Sequence, residues 1–135
     1  MTQSPGHQQH PDHKIQTQPL RQRMSVTAKG EVIAESNDVL QVKEDGSPVR
    51  LYFPRSDVNM NKLQPSETTS RCPFKGTARY FNVVVGNVVL RDAVWSYEQP
   101  YDEHRDLQGR LAFYDDKVPE LHIGAARMAE GANAT

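Results

Sequence analysis

Cys72 is the only cysteine of the chain, and Lys75 follows three positions later in the stretch Arg71-Cys72-Pro73-Phe74-Lys75-Gly76. In an extended strand that spacing would send the two side chains to opposite faces. Pro73 argues for a turn over Cys72–Lys75 instead, because proline is favoured at the second position of type I and II turns, and such a turn brings its end Cα atoms within about 7 Å. A thiol held beside an ammonium gains thiolate character and becomes a better nucleophile. The competing reading makes Cys72 a small apolar side chain, the usual fate of an unpaired cysteine. No histidine lies nearby to serve as its base, since His104 and His122 are far along the chain.

Other residues have chemistry to offer. Arg55 is a candidate anion clamp, because guanidinium binds carboxylate or phosphate through paired hydrogen bonds; the alternative is an internal pair with Asp57 or another acid. Trp95 and Tyr97 are suited to lining a ligand pocket, although aromatics on strands more often pack a core. His7, His10 and His13 form a His-x-x-His-x-x-His tract. Imidazoles are good ligands for zinc, copper or nickel, but in a polar tail such binding would be adventitious. A single cysteine excludes both an internal disulfide and a paired Cys-x-x-Cys zinc site. Nucleotidyl transfer calls for a phosphate cradle and carboxylates holding Mg²⁺. No Gly-rich phosphate loop is present, and Asp115-Asp116 reads as a turn. No cofactor is expected.

The elements that must position these groups read as β. Residues 1–23 are rich in Gln, His and Pro and read as a flexible extension, because so little apolar surface cannot offset the entropy of ordering. Residues 124–135 read as an Ala- and Gly-rich tail, leaving 24–123 as a single β domain. Two short strands flank Gly30, and two more flank Asp45-Gly46-Ser47-Pro48, a hairpin signal. Residues 54–70 lose alternation and read as a loop with one helical turn near Ser56 or Asp57. A short helix is expected from about Tyr101, and Arg110–Tyr114 reads as the last strand.

The longest strand signal runs on both sides of Gly86-Asn87, a pair suited to a type II′ turn. If Val85 faces Val88, then Val83 faces Leu90, Tyr80 faces Ala93, Ala78 faces Trp95 and Lys75 faces Glu98. Strict alternation then puts Ala78, Tyr80, Trp95 and Tyr97 on one face, and Phe81, Val83, Val85, Val88, Leu90 and Val94 on the other. Both faces are apolar, which predicts a strand pair covered on both sides. A bulge near Asp92 would break this register beyond that point.

Four segments in order, "LYFPRSDVNMNKL", "CPFKGTARYF", "AVWSYEQP" and "GRLAFYDDKV", resemble the family called domain of unknown function 427. The resemblance covers about residues 25–121. It implies a compact antiparallel β fold of the tent type, with two small sheets packed at an angle, and a nucleotidyltransferase-type label that members often carry. Tyr52, Pro54, Arg55, Asp57, Cys72, Lys75, Gly76, Tyr80, Trp95, Tyr97, Phe113 and Tyr114 fall on the family pattern. Where the family commonly has Arg-Glu-Asp after the proline, this chain has Arg55-Ser56-Asp57. Any role of that glutamate is lost here or passes to Asp57 or Glu44.

With 135 residues, 36% of them hydrophobic, the chain has length for one core but not for one that reaches both ends. A formal net charge of −1 gives no electrostatic footprint for nucleic acid or an anionic membrane. No apolar run reaches signal-peptide or spanning length, so a cytoplasmic location is expected. The first functional expectation is a binding module: an aromatic-lined pocket built on Tyr80, Trp95 and Tyr97, with Arg55, Asp57 and Lys75 at its rim, taking a small anionic or nucleotide-like ligand. The alternatives are an enzyme using Cys72 and Lys75 in the same pocket, and a structural or protein-interaction domain.

Overall fold

The computed structural model describes residues 3–126, so most of the expected C-terminal tail, 127–135, lies outside the described residues. Among the described residues the chain is mainly β, with two antiparallel sheets. Its strands are β1 (Ile15–Leu20), β2 (Met24–Ala28), β3 (Glu31–Ser36), β4 (Val39–Glu44), β5 (Arg50–Phe53), β6 (Leu63–Cys72), β7 (Gly76–Val85), β8 (Val88–Tyr97), β9 (Leu111–Phe113) and β10 (Leu121–Ala125). A short helix α1 (Pro5–Gln9) precedes them, single 3-10 turns occupy Arg55–Asp57 and Met60–Lys62, and two 3-10 turns kinked at His104 occupy Asp102–Leu107. The larger sheet has seven strands in the order β1-β4-β5-β9-β8-β7-β6, and the smaller has three in the order β10-β2-β3.

Alternation along the central strands divides the apolar residues between two clusters. Phe53, Phe81, Val83, Val94, Leu111 and Phe113 face the small sheet and pack on its Val26, Ile33 and Leu121. Their sequence neighbours Tyr52, Trp95 and Ala112 point the other way, into a second cluster with Val42, Ala78, Tyr97 and Leu107. The β7–β8 pair is therefore covered on both faces, as its two apolar faces predict.

The β7–β8 turn has Gly86 at φ 59, while Asn87 keeps negative φ, the signature of a Gly-first II′ turn. Val85↔Val88, Val84↔Val89 and Val83↔Leu90 pair as expected. Beyond them the ladder shifts between Phe81 and Val83, so Phe81 faces Val94, Tyr80 faces Trp95 and Ala78 faces Tyr97. The shift lies at Asp92, whose φ of 51 marks the bulge. Three residues of β8, 91–93, stand opposite Asn82 alone, two more than a regular ladder allows. An even excess keeps side-chain parity. The predicted faces therefore hold while the predicted partners below the bulge move by two.

Three segments differ from expectation. Residues 15–20, within the stretch read as a flexible extension, form an edge strand paired along its whole length with β4. Residues 63–72, within the stretch read as a loop, form the opposite edge strand on β7. Residues 121–125, which straddle the expected end of the domain, add a strand to β2. The two edge strands are largely exposed and polar. Their apolar anchors sit only at the ends, Ile15 and Leu20 in β1 and Leu63 and Cys72 in β6, so the polar middles lack the alternation that marks a strand in sequence.

The bulge has its own lock. Ser66 Oγ and Thr68 Oγ1 donate to the Asp92 carboxylate at 2.5 and 2.7 Å, and the Asp92 amide donates to Asn82 Oδ1 at 2.8 Å. Asp92→Ala removes both acceptors and leaves a Cβ residue at positive φ, so unfolding free energy in urea should drop by about 1–3 kcal/mol. Asp92→Gly should cost less because it relieves φ, and Asp92→Asn least because it keeps an acceptor. An Asp92→Ala protein with an unchanged urea midpoint would show that the bulge does not depend on this side chain.

Candidate functional site

Proline 73 ends β6, and the Pro73–Lys75 loop returns the chain into β7 with Cys72 opposite Gly76. The turn expected over Cys72–Lys75 is thus the tip of a hairpin. Gly76 sits at φ 122, where an added Cβ would come within 3.3 Å of the Gln99 carbonyl, so the loop after β8 can lie directly against the hairpin. The Tyr101 amide bonds the Lys75 carbonyl at 3.0 Å across that contact.

Lys75 is turned inward and only 6% exposed. Its Nζ is held by Glu44 Oε1 at the end of β4, and the other Glu44 oxygen receives His13 Nε2 at 2.9 Å. Burial pushes the Glu44 carboxyl up, but the hydrogen bonds from Lys75 and His13 together outweigh it, leaving Glu44 below its ordinary value. The aromatic ring of Tyr97 lies 5.9 Å from the Lys75 ammonium.

Beside this pair lies a cleft of ≈ 320 Å³ on the face of the large sheet that points away from the small one. Tyr52, Ala112 and Trp95 are successive rungs across β5, β9 and β8. The small Ala112 leaves room for Trp95 Nε1 to donate to Tyr52 Oη at 3.1 Å above it. Tyr114, just past β9, packs on Trp95 at a centroid distance of 4.1 Å and lies parallel to Tyr80 at 6.3 Å. Burial raises the phenols of Tyr52, Tyr97 and Tyr114 well above their ordinary value, so all three stay neutral at physiological pH.

Cations complete the lining. The Arg50 guanidinium lies 5.2 Å from the Trp95 ring and 5.1 Å from that of Tyr114, while bonding Asp116 at 2.8 Å. That bond holds Asp116 below its ordinary value. Lys117 Nζ stands 4.8 Å from the other ring contact, Tyr114. The cleft is thus a set of neutral aromatic walls with Arg50, Lys75 and Lys117 around them and two carboxylates already engaged.

Of the residues singled out in the sequence, Lys75, Tyr80, Trp95 and Tyr97 line this cleft. Cys72 packs beside it, half-buried against the Tyr52–Trp95 cluster. Arg55 and Asp57 do not converge with them. Arg55 lies on the opposite face of the sheet over the Phe81 ring, bonded to the Gly109 carbonyl, Ser96 Oγ and Glu98. Asp57 accepts from Ser36 Oγ at 2.6 Å on that same side. The expected Lys75–Glu98 opposition is likewise corrected: Lys75, in the turn before β7, points to the cleft face and meets Glu44, while Glu98 points to the opposite face and takes Arg55 and Arg79. Arg50, Tyr52, Tyr114, Asp116 and Lys117 were missed as site residues. Tyr52 and Tyr114 lie on the family pattern, and Arg50 shares the parity of Tyr52 on β5, which is the signal that could have found them.

The histidine tract has no common focus. His7 Nε2 shares a hydrogen bond with His104 Nε2 at 2.9 Å, His13 stacks on Phe74 at 4.2 Å, and His10 lies 6.4 Å from the same ring. Among the described residues no group of three or more His, Cys, Asp or Glu is placed to hold a metal ion. No helix among them is long and apolar enough to cross a membrane.

A two-sheet antiparallel protein with an aromatic, cation-rimmed cleft on the outer face of its larger sheet is the class that fold and site define. The chain belongs to the family described as domain of unknown function (DUF427), whose model matches residues 16–123. The match begins inside β1, one residue after its start. No curated protein matches the chain.

The Lys75–Glu44 pair makes a sharp test of the site's construction. Glu44→Gln leaves a buried ammonium without its counter-charge and should cost about 3–5 kcal/mol, whereas adding Lys75→Met to it should restore much of that loss. Because Glu44 is held below its ordinary value, its contribution is full above the unfolded value of 4.5 and is lost as pH falls through the lower folded value. Urea unfolding of wild type between pH 7 and 3 should therefore show an acid loss that Glu44→Gln reduces. Equal acid slopes in the two proteins would contradict the pairing.

Proposed function

We propose that the protein is a small-molecule binding module whose cleft takes a small anionic, nucleotide-like ligand. The observation that carries this reading is Arg50, a guanidinium laid against two aromatic rings at the cleft, 5.2 and 5.1 Å from their centres. A planar ring stacks on Trp95, Tyr114 and Tyr80, and the neutral phenols supply hydrogen bonds without repelling an anion. The anionic group is received by Arg50 and Lys117, which surround the Tyr114 side of the cleft.

Lys75, tied to Glu44, serves the cleft as a fixed positive charge rather than as a mobile acid or base. The two carboxylates of the cleft are both occupied by basic side chains, Glu44 by Lys75 and Asp116 by Arg50. That pairing supports binding over a metal-assisted phosphoryl or nucleotidyl transfer, which draws on free carboxylates.

Trp95 is the single tryptophan of the chain, so its fluorescence reports from the cleft alone. Titration with nucleoside mono-, di- and triphosphates should give a saturable change in Trp95 emission. Arg50→Ala should weaken it about tenfold or more, the loss of one charge-assisted contact. Tyr114→Ala should weaken it as well, by removing the stacking wall. No saturable change with any nucleotide, or an affinity untouched by both substitutions, would overturn the reading.

A further inference from the structure

On the opposite face of the large sheet, a depression of ≈ 460 Å³ opens where β7 begins and the loop after β8 crosses it. Its wall is built by register. Arg71 pairs with Thr77 and Thr69 with Arg79, so these four side chains share one face of the β6–β7 hairpin. That face is not the cleft's, because Ser70 and Ala78, the residues between, belong to the Tyr80 side, where Ser70 Oγ bonds Tyr80 Oη. Glu98 and Tyr101 close the depression from the far side.

The charge there is unbalanced. Arg55, Arg71 and Arg79 stand around one carboxylate, Glu98, a surplus of two positive charges. Arg55 takes Glu98 at 3.1 Å and also donates to Ser96 Oγ and the Gly109 carbonyl, which hold it over the Phe81 ring. Arg79 is left with a loose 3.6 Å contact to Glu98 and is 64% exposed. Arg71 has, among the described residues, a single long contact of 3.4 Å to the Tyr101 hydroxyl. Two planar donor forks thus converge on one concavity with most of their N–H groups uncommitted. The floor is fixed, because glycine at position 76 lets residues 99–101 lie against the hairpin, as described above.

We propose that this depression is a second binding site, separate from the aromatic cleft, and that its ligand is a phosphate group, free or carried as a phosphomonoester. A tetrahedral dianion presents two oxygens to each of Arg71 and Arg79, neutralises the surplus charge, and accepts from the Tyr101 hydroxyl and Thr77 between them. A monovalent carboxylate satisfies only one fork. Glu98 sets the specificity: tied back by Arg55, it narrows the site to anions that can use both arginines at once and disfavours longer polyanions that would run across it.

The site can be read amide by amide. Inorganic phosphate titrated into the ¹⁵N-labelled full chain at constant ionic strength should shift the Gly76 and Thr77 amides to saturation. Arg71→Gln and Arg79→Gln should each weaken that response about tenfold, and the double variant should lose it. Ribose 5-phosphate and adenosine 5′-monophosphate, titrated in parallel, tell the sources apart: tighter binding than inorganic phosphate marks a phosphomonoester, equal or weaker binding marks the free ion. The Trp95 indole N–H in the same spectra reports on the aromatic cleft, so failure of one site is distinguished from failure of the other. Amides that do not move, that move equally with sodium chloride, or that still respond in the double variant would overturn the proposal.

Discussion

A lysine ammonium that is almost wholly buried has to meet a counter-charge, and for Lys75 that partner is Glu44. The two residues belong to distant parts of one sheet. β4 and the β7 end of the hairpin are separated by β5, β9 and β8, four steps that at ~4.8 Å each would span about 19 Å if the sheet were flat. The two side chains together cannot cover that distance. The sheet must coil until its β4 and β7 regions close toward each other, and right-handed strand twist, raised locally by the Asp92 bulge, supplies such coiling. Coiling is also what makes the outer face concave, so the ion pair and the aromatic cleft are two consequences of one curvature.

The N-terminal segment reinforces that closure. Ser4 Oγ and the Gly6 amide both bond the Pro73 carbonyl at 2.8 Å, at the tip of the same hairpin. Gly6 approaches so closely that a Cβ there would come within 2.7 Å of the Phe74 ring and 2.8 Å of the Pro73 oxygen. Further along, His13 stacks on Phe74 and bonds Glu44, so one residue touches both partners of the closure. Between them, burial together with the neighbouring His7 and Lys75 holds His104 below its ordinary value. A hydrogen bond between two ring nitrogens needs one of them unprotonated, so acid strong enough to charge both rings loosens this contact as well as the Glu44 pair.

Legibility in the sequence followed how local the cause was. The β7–β8 hairpin could be read because its alternation, its Gly86-Asn87 turn and its apolar faces all lie within one contiguous stretch, Gly76 to Tyr97. Even the break near Asp92 could be located, though its size could not, and size decides partners: a two-residue excess moved Tyr80 from Ala93 to Trp95. The edge strands β1 and β6 were illegible because each is held by one neighbour, and neither Gln16-Thr17-Gln18 nor Ser66–Ser70 carries an apolar face to betray it. Tyr80, Trp95 and Tyr97 were placed on one face by parity alone. Arg55 was assigned to their rim because no local pattern tells which side of the sheet a turn after β5 will take, and the turn took the other side.

The same parity explains how one strand serves two faces without mixing them. Along the end of β8, Trp95 and Tyr97 enter the aromatic cleft, while Ser96 and Glu98 face Arg55 and Arg79. An odd excess at the Asp92 bulge would exchange these sets, burying Glu98 among the rings and exposing Trp95 beside the arginines. Each outcome is expensive, the first through an unpaired buried carboxylate and the second through an exposed indole. The even bulge is therefore a requirement rather than a tolerance, and the Ser66, Thr68 and Asn82 contacts to Asp92 are what hold it at that count. A strand edge that looks featureless in sequence thus fixes, through two hydroxyls and an amide, which chemistry each face of the sheet presents.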